Sequence, residues 1–139
     1  MKARPKRNPI PSEFDEQVKI IKWRDLMVAT GQEPRLALLH GDSSGIRVSI
    51  GAAVKMKRAG RVRGWPDLIL AVPCDGSMGS KPFHALFVEL KRLDGRAEKE
   101  QSALHELLRE QGYAVYVCRG STEAIAVICE YLGIDPVNP

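Results

Sequence analysis

The segment Gly64-Trp65-Pro66-Asp67-Leu68, together with the later segment Val88-Glu89-Leu90-Lys91, decides the fold of this chain. Short apolar runs adjoin both segments, at residues 68–72 and at residues 85–88. Runs of this length that are bounded by Gly and Pro predict buried strands. Buried strands seldom carry charged side chains, because an unpaired buried charge is costly in free energy. Two carboxylates and an ammonium at the margin of a small sheet therefore indicate a chemical site.

The spacing within these segments brings the three charged side chains together. Alternate residues of a strand share one face, so Glu89 and Lys91 point to the same side of the sheet. Asp67, at the start of the neighbouring strand, is expected to approach Glu89 across the pair. Adjacent carboxylates repel each other unless a cation lies between them, and hard oxygen ligands favour Mg²⁺ or Mn²⁺. This chemistry suits hydrolysis of phosphodiesters, and an ordinary exposed ion pair at a strand end is the alternative interpretation.

Helix and strand patterns alternate on either side of the two central strands, which are predicted at residues 67–72 and 84–90. The segment 73–82 between them is rich in Gly, Ser and Pro, which favours an antiparallel pair with a long connection. The other predicted elements are helices at residues 13–28, 48–59, 97–111 and 121–132, and strands at residues 36–40 and 113–118. This order predicts an α/β fold with a small sheet covered by helices.

Three of the predicted helices have an apolar face that is expected to point inward. The first helix follows Ser12, which is a good N-cap. Its predicted inward residues are Phe14, Val18, Ile21 and either Leu26 or Met27. The inward residues predicted for the last two helices are Leu104, Leu107, Leu108, Ile125, Ile128 and Leu132. The second helix, which ends at Gly60, instead carries Lys55, Lys57 and Arg58.

Composition predicts one folded domain, at residues 12–139, preceded by a flexible basic arm at residues 1–11. The length of 139 residues and the apolar fraction of 44% allow a sizeable core. No apolar stretch approaches the roughly 18–20 residues needed to span a bilayer, so no membrane partner is expected. The three cysteines are far apart and form no metal-binding pattern. Such thiols are typical of a reducing, cytoplasmic compartment.

The basic excess of the chain is concentrated in two places. The net charge of +4 is carried by the arm, because the rest of the chain has 17 basic and 17 acidic residues. The second place lies between Asp42 and Asp67, where no acidic residue accompanies Arg47, Lys55, Lys57, Arg58, Arg61 and Arg63. Acid-free basic segments attract polyanions, above all nucleic acid. For this segment alone, a merely solvated basic surface is the alternative.

Taken in order, the motifs resemble those of the VRR-NUC domains of the PD-(D/E)xK nuclease superfamily, which occur in small phage and bacterial proteins. The resemblance covers nearly the whole chain beyond the arm. The segments that carry it are residues 13–17, 57–60, 64–68 and 88–92, then Gln101, Gly112-Tyr113 and residues 117–120. It implies a restriction-endonuclease-like core of the order αβββαβ, with a small mixed central sheet flanked by helices.

Position by position, the resemblance implies an active site on this framework. Asp67 and Glu89 match the metal ligands of the family, and the backbone carbonyl of Leu90 matches a third ligand. The implied cofactor is Mg²⁺ or Mn²⁺. Lys91 matches the catalytic lysine, and Gln101 matches the glutamine that orients water or the lysine side chain.

Four residues around this set have competing interpretations. Glu13 fits the acidic position on the family's first helix better than Glu16, for which stabilisation of the helix dipole is the favoured role. Trp65 is expected to pack within the fold, and stacking on a base or sugar is its alternative. His40 fits a position near the DNA path and a structural histidine equally well.

The activity that the resemblance implies is endonucleolytic hydrolysis of DNA, selective for branched or Holliday-junction-like structures rather than for sequence. The expected nucleic-acid-binding residues are Lys55, Lys57, Arg58, Arg61 and Arg63, together with Lys6 and Arg7 of the arm. A homodimer in the cytoplasm of a bacterial cell or a phage-infected host is also implied. Two alternatives remain, a nucleic-acid-binding module without catalysis and a nuclease that acts on RNA.

Overall fold

The structure of the protein is a computed structural model that describes residues 8–42, 46–76, 81–95 and 99–136, with the backbone alone at residues 99–102. Within these residues four α-helices accompany four strands. The helices are α1 (Glu13–Ala29), α2 (Ile50–Arg58), α3 (Lys99–Glu110) and α4 (Gly120–Leu132). The strands are β1 (Leu39–Gly41), β2 (Leu68–Leu70), β3 (Leu86–Lys91) and β4 (Ala114–Arg119). The predicted α/β fold is confirmed.

The sheet is mixed, and the described strands lie in the order β1-β2-β3-β4. Strand β2 pairs antiparallel with both β1 and β3, whereas β4 runs parallel to β3. The antiparallel central pair and the order αβββαβ are therefore as predicted, with α2 inserted between β1 and β2. In the described part of the chain, no helix combines the length and the apolar character needed to cross a bilayer.

Strand β3 lies at the centre of the core, and all its residues are buried. One of its faces packs with α1 and α4 through Leu86, Val88 and Leu90. On the other face, Phe87 packs with Val115 of β4 and Leu108 of α3. Because the side chains of a strand alternate, Glu89 and Lys91 lie on the same face as Phe87. The two charged residues thus belong to the face that α3 partly covers.

Helix α1 turns a different face inward from the one predicted. Its buried residues are Glu16, Ile20, Trp23 and Met27. The prediction was wrong for Phe14, which is 53% exposed, and Val18 and Ile21 are only half-buried. Of the alternatives Leu26 and Met27, Met27 is the buried residue. Helix α1 has several stripes of apolar side chains, and contact with α4 decides which of these stripes is buried. The sequence pattern of α1 alone does not show which stripe becomes buried.

The strand predicted at residues 36–40 was also wrong in part, because Pro34–Leu38 forms a 3₁₀ helix and only Leu39–Gly41 pairs with β2. The Glu33 carboxylate accepts hydrogen bonds from the backbone N–H and the Nε–H of Arg35, at 3.1 and 2.8 Å. Arg35 also donates to the carbonyl of Leu132 at the end of α4, at 3.1 Å. These bonds, with the fixed φ of Pro34, stabilise a helical turn within the apolar run.

The inward face predicted for α3 was wrong at one position. Leu108 is buried and Leu104 half-buried, but Leu107 is 57% exposed. His105 takes the inward position instead and is 3% exposed. The α4 prediction is confirmed, since that helix packs inward through Ile125, Ile128 and Leu132.

Helix α2 lies at the surface. The Ser49 hydroxyl caps its start by accepting a hydrogen bond from the Ala52 N–H at 3.2 Å, and Gly60, with φ +103°, follows its end. None of its residues, all of which the structure describes, is buried. The helix therefore presents the basic side chains of its last turn, Lys55, Lys57 and Arg58, to solvent.

Candidate active site

The pairing of β2 with β3 sets the position of the first carboxylate. Leu68 lies opposite Val88, so the same register continued by one residue places Asp67 opposite Glu89. The Oδ2 atom of Asp67 accepts a hydrogen bond from the backbone N–H of Leu90 at 2.6 Å. This bond ties the carboxylate to the edge of β3 at the point where the neighbouring strand begins.

The residues before Asp67 explain why the chain delivers a carboxylate at this point. Gly64 has φ +92°, a left-handed conformation that side chains other than glycine rarely adopt. Pro66 is buried and its ring fixes φ. The Gly-Trp-Pro sequence therefore forms a stiff turn, and Asp67 is the last residue before β2.

Glu89 and Lys91 form a buried ion pair on β3. The Lys91 Nζ lies 3.5 Å from the Glu89 Oε1, and the two side chains are 8% and 4% exposed. The carboxyl oxygen gives the buried ammonium a polar partner, which offsets part of its desolvation cost. The geometry is the one that the Glu-x-Lys spacing predicts for a strand.

Burial, together with nearby negative charge, raises the pKa values of both carboxyl groups. Burial raises the pKa of Asp67 to about 6, opposed by the hydrogen bond from Leu90 and reinforced by the negative charges of Glu13 and Asp42. Burial also raises the pKa of Glu89 to about 8, with the charge of Asp67 as the second cause. Lys91 acts in the opposite direction on both groups. Without a cation, the two carboxylates resist ionising together.

The carboxylates open onto a cleft of about 530 Å³ that basic side chains also line. Its acidic lining residues are Glu13, Asp42, Asp67 and Glu89, and its basic lining residues are Lys57, Arg61 and Arg63. Lys55 and Arg58, the other two predicted basic residues of this segment, are exposed on α2 and do not line this cleft. An anionic chain can therefore approach the carboxylates past positive charge.

Comparison with known proteins identifies the family. The family model described as the VRR-NUC domain matches residues 15–122. The chain belongs to the VRR-NUC family of nucleases. A solved structure described as a VRR_NUC domain protein has a TM-score of 0.69 and 22% identity, covers 94% of this chain and 96% of its own, and supports the fold alone. No curated protein matches the sequence.

The two candidate acids on α1 have different surroundings in this VRR-NUC domain. Glu13 is exposed and lines the cleft. Glu16 is buried, and its Oε2 accepts a hydrogen bond from the backbone N–H of Ser121, in the first turn of α4, at 2.7 Å. Burial would raise the pKa of Glu16, but hydrogen bonds from Ser121 and Lys19 outweigh it and the pKa is lowered. Glu16 thus stabilises the start of α4 in addition to lying in the first turn of its own helix.

Asp42 is a residue of this site that sequence reasoning missed. Its backbone N–H donates to the carbonyl of Asp67 at 2.7 Å, and its own carbonyl accepts from the Nε2 of Gln17 at 3.0 Å. Its side chain lines the cleft with those of Asp67 and Glu13. In the sequence, the run Gly-Asp-Ser-Ser-Gly at residues 41–45 indicates a turn and not a site. A signal existed, since this acid directly follows the strand that pairs with β2.

Three predicted site residues lie outside what the structure describes. The side chain of Gln101 is not described, although its backbone belongs to the first turns of α3. Lys6 and Arg7 precede the described residues. Their roles in the VRR-NUC domain remain predictions.

The donor set of the VRR-NUC domain fits a divalent cation. The raised pKa values of Asp67 and Glu89 reflect burial and repulsion that a bound cation would relieve. Within the described residues, no group of three or more His, Cys, Asp and Glu side chains is arranged to hold a metal ion. To complete the coordination of a cation, the two carboxylates would therefore need water and a main-chain oxygen, such as the predicted Leu90 carbonyl, as further ligands. Mg²⁺ and Mn²⁺ suit such sites because hard oxygen donors suffice and Mg²⁺ keeps several waters.

Proposed function

We propose that this VRR-NUC nuclease is a divalent-metal-dependent endonuclease that hydrolyses DNA phosphodiester bonds, with selectivity for branched structure and not for sequence. The observation that carries the proposal is the pairing of Asp67 with Glu89 beside Lys91, at a cleft lined by basic side chains. The cation, Mg²⁺ or Mn²⁺, would stabilise charge that develops on the phosphoryl oxygens. Asp67, Glu89 and the Leu90 carbonyl would hold it.

The remaining residues of the site position the attacking water and bind the phosphates of the substrate. Lys91 holds or activates the attacking water, and Gln101 orients that water or the lysine. Glu13 lines the same cleft from α1 and adds a further carboxylate to those of Asp67 and Glu89. The phosphates on either side of the scissile bond contact the basic residues Lys57, Arg61 and Arg63.

A substrate panel tests this function. Four-way junction, forked duplex, linear duplex and structured RNA are incubated with the protein and Mg²⁺ or Mn²⁺, and products are resolved on a denaturing gel. We expect the wild type to cut branched DNA and Asp67→Ala to be inert. If both proteins bind branched DNA and neither cuts any substrate, the domain is a binding module. Cleavage of RNA alone would make it a ribonuclease.

A second variant tests the metal assignment. Glu89→Ala should lower the cleavage rate by on the order of 100-fold or more, because half of the carboxylate pair is lost. Its affinity for uncut DNA, measured by fluorescence anisotropy, should change little. Glu130→Ala, which removes an exposed acid on α4, is the matched control and should cut like the wild type. Undiminished cleavage by Glu89→Ala would refute the assignment.

The proposal includes a homodimer. A C2 assembly of identical chains has two active sites related by a two-fold axis. This arrangement matches the symmetry of a four-way junction. The support is the resemblance to the small stand-alone nucleases. Sedimentation velocity with and without junction DNA measures the stoichiometry, and a one-to-one complex that cuts both strands would contradict it.

A reducing, cytoplasmic location is proposed from the thiols. Cys118 and Cys129 are free thiols, and both are buried. Burial raises the pKa of Cys118 to about 12, which makes its thiol unreactive. Thiols of this kind serve as small apolar side chains and need no oxidising environment.

A further inference from the structure

One part of the sheet face that bears the catalytic pair is left open. His40, Ile69 and Phe87 lie side by side across β1, β2 and β3. Alternation along β2 and β3 puts this row on the same face as Asp67 and Glu89. Helix α3 covers the Phe87 end of the row, whereas His40 at the other end is exposed.

The open part of the face forms the floor of a cavity of about 370 Å³. Its side wall is the segment that follows α2, and the residues that shape the cavity are His40, Arg61, Val62, Trp65, Ile69 and Phe87. Asp42 and Asp67 line both this cavity and the catalytic cleft. The cavity therefore adjoins the carboxylates directly, and its size lies at the lower end of the range for small-ligand pockets, about 300–1,000 Å³.

Trp65 gives the cavity an aromatic wall that is held in place. Its ring centroid lies 5.8 Å from that of Phe87 at an interplanar angle of 55°, and Phe87 in turn meets Tyr113 edge to face at 5.4 Å. The flanking Gly64 and Pro66 constrain the backbone. Trp65 nevertheless remains 41% exposed, so packing accounts for only part of its surface. A ring fixed in this way loses little entropy when a planar ligand stacks on it.

We propose that this cavity receives the nucleobase of an unpaired nucleotide next to the scissile phosphate, stacked on Trp65. The inference rests on the proposed nuclease function and adds a substrate class to it. The base is the occupant that fits, because a phosphate held at the carboxylates leaves its neighbouring nucleoside within reach of the adjoining cavity. His40, Asp42 and Arg61 supply polar atoms for the edges of the base, and Trp65 supplies the stacking surface.

The consequence is selectivity for nucleic acid that is single-stranded at the cut. A paired base is stacked on both sides within the duplex and must be swung out before it enters such a cavity. An unpaired nucleotide enters without that cost. Forks supply unpaired nucleotides, and a continuous duplex does not.

The test uses a forked duplex whose first unpaired nucleotide carries either a base or a tetrahydrofuran abasic analogue. Binding to the wild type is measured by anisotropy with Ca²⁺ in place of Mg²⁺ or Mn²⁺, so that a cation holds the phosphate at the carboxylates while the DNA stays intact. We expect the abasic fork to bind about five-fold more weakly or worse, as loss of one stacked base predicts. The same analogue at the fourth unpaired position should have no effect. Equal affinity for both forks would overturn the proposal.

A variant series assigns the effect to Trp65. Trp65→Ala should bind both forks equally, whereas Tyr116→Ala, which removes another exposed aromatic ring, should keep the full preference. The fork with a base should also quench tryptophan emission, because Trp23, the only other tryptophan, is buried. If Trp65→Ala keeps the preference, the cavity is not the binding site.

Cleavage assays with metal separate this proposal from the function beneath it. Forks that are cut at equal rates with and without the base leave the nuclease assignment standing and overturn the cavity proposal alone. Failure to cut any substrate, with Asp67→Ala indistinguishable from the wild type, overturns the nuclease assignment and this inference with it.

Discussion

Burial raises the pKa values of the active-site carboxyl groups and so makes stability depend on pH. Glu89 and Asp67 have pKa values raised to about 8 and about 6, mainly by burial and, for Glu89, by the charge of Asp67. In the unfolded chain both groups have pKa values of about 4. Between pH of about 4 and about 8 the native state therefore binds more protons than the unfolded state. The contribution of these two groups to the free energy of unfolding of the metal-free protein therefore falls as pH rises through this window.

Neutralising Glu89 should remove this penalty. In the presence of a chelator, Glu89→Gln should raise the Tm at pH 8 by roughly 2–8 °C and change it less at pH 5. The comparison is made with the wild type at each pH, because groups with lowered pKa values, such as Glu33 beside Arg35, act in the opposite direction. Thermal unfolding followed by circular dichroism measures both differences. An unchanged Tm at pH 8 would contradict the raised pKa.

Variants of Glu13 and Glu16 on α1 should separate stability from catalysis. Glu16→Ala should lower the free energy of unfolding by about 1–3 kcal/mol, because it leaves the Ser121 N–H without its buried acceptor. Glu13→Ala should leave the Tm within about 2 °C of the wild type, since Glu13 is exposed, and should slow cleavage. Chemical denaturation and single-turnover cleavage measure the two effects. The reverse pattern would make Glu16 the active-site acid.

At the scale of elements, α2 is set apart by burying none of its residues and by its basic last turn. Lys57→Ala combined with Arg63→Ala should flatten the slope of log Kd against log salt by about two units, because both residues line the cleft and each is proposed to contact one phosphate. The matched control is Lys55→Ala combined with Arg58→Ala, which removes equal charge outside the cleft. Anisotropy titrations at several salt concentrations give the slopes. Equal slopes for the two double variants would show that charge acts without regard to position.

Element positions were predictable where local chemistry decides them. The start of α1 followed from Ser12, whose capping box with Asp15 is a short-range interaction. The central strands followed from apolar runs bounded by Gly and Pro. The inward faces of α1 and α3 did not follow, because α4 and the sheet select one stripe among several. The 3₁₀ turn at residues 34–38 depends in part on the contact of Arg35 with Leu132, far along the chain.

At the scale of the whole molecule, the N-terminal arm carries the entire net charge. Deletion of residues 2–8 removes four basic side chains and should weaken DNA binding and flatten its salt dependence by up to about four units. The Tm should be unaffected, since the domain is predicted to begin at residue 12. Salt titrations of the full and truncated chains measure the change. An unchanged slope would show that the arm makes no phosphate contacts.

The sequence by itself determined the fold class, the family and the charged set Asp67, Glu89 and Lys91. It did so because strand periodicity, turn residues and the cost of buried charge act over a few residues and leave a direct trace in the chain. Only the tertiary structure decided that Glu13 lines the cleft while Glu16 supports α4, that Asp42 joins the carboxylates, and that Trp65 walls an open cavity. These features depend on which elements pack together. Packing depends on contacts between residues that are far apart in the sequence, and no local pattern shows these contacts.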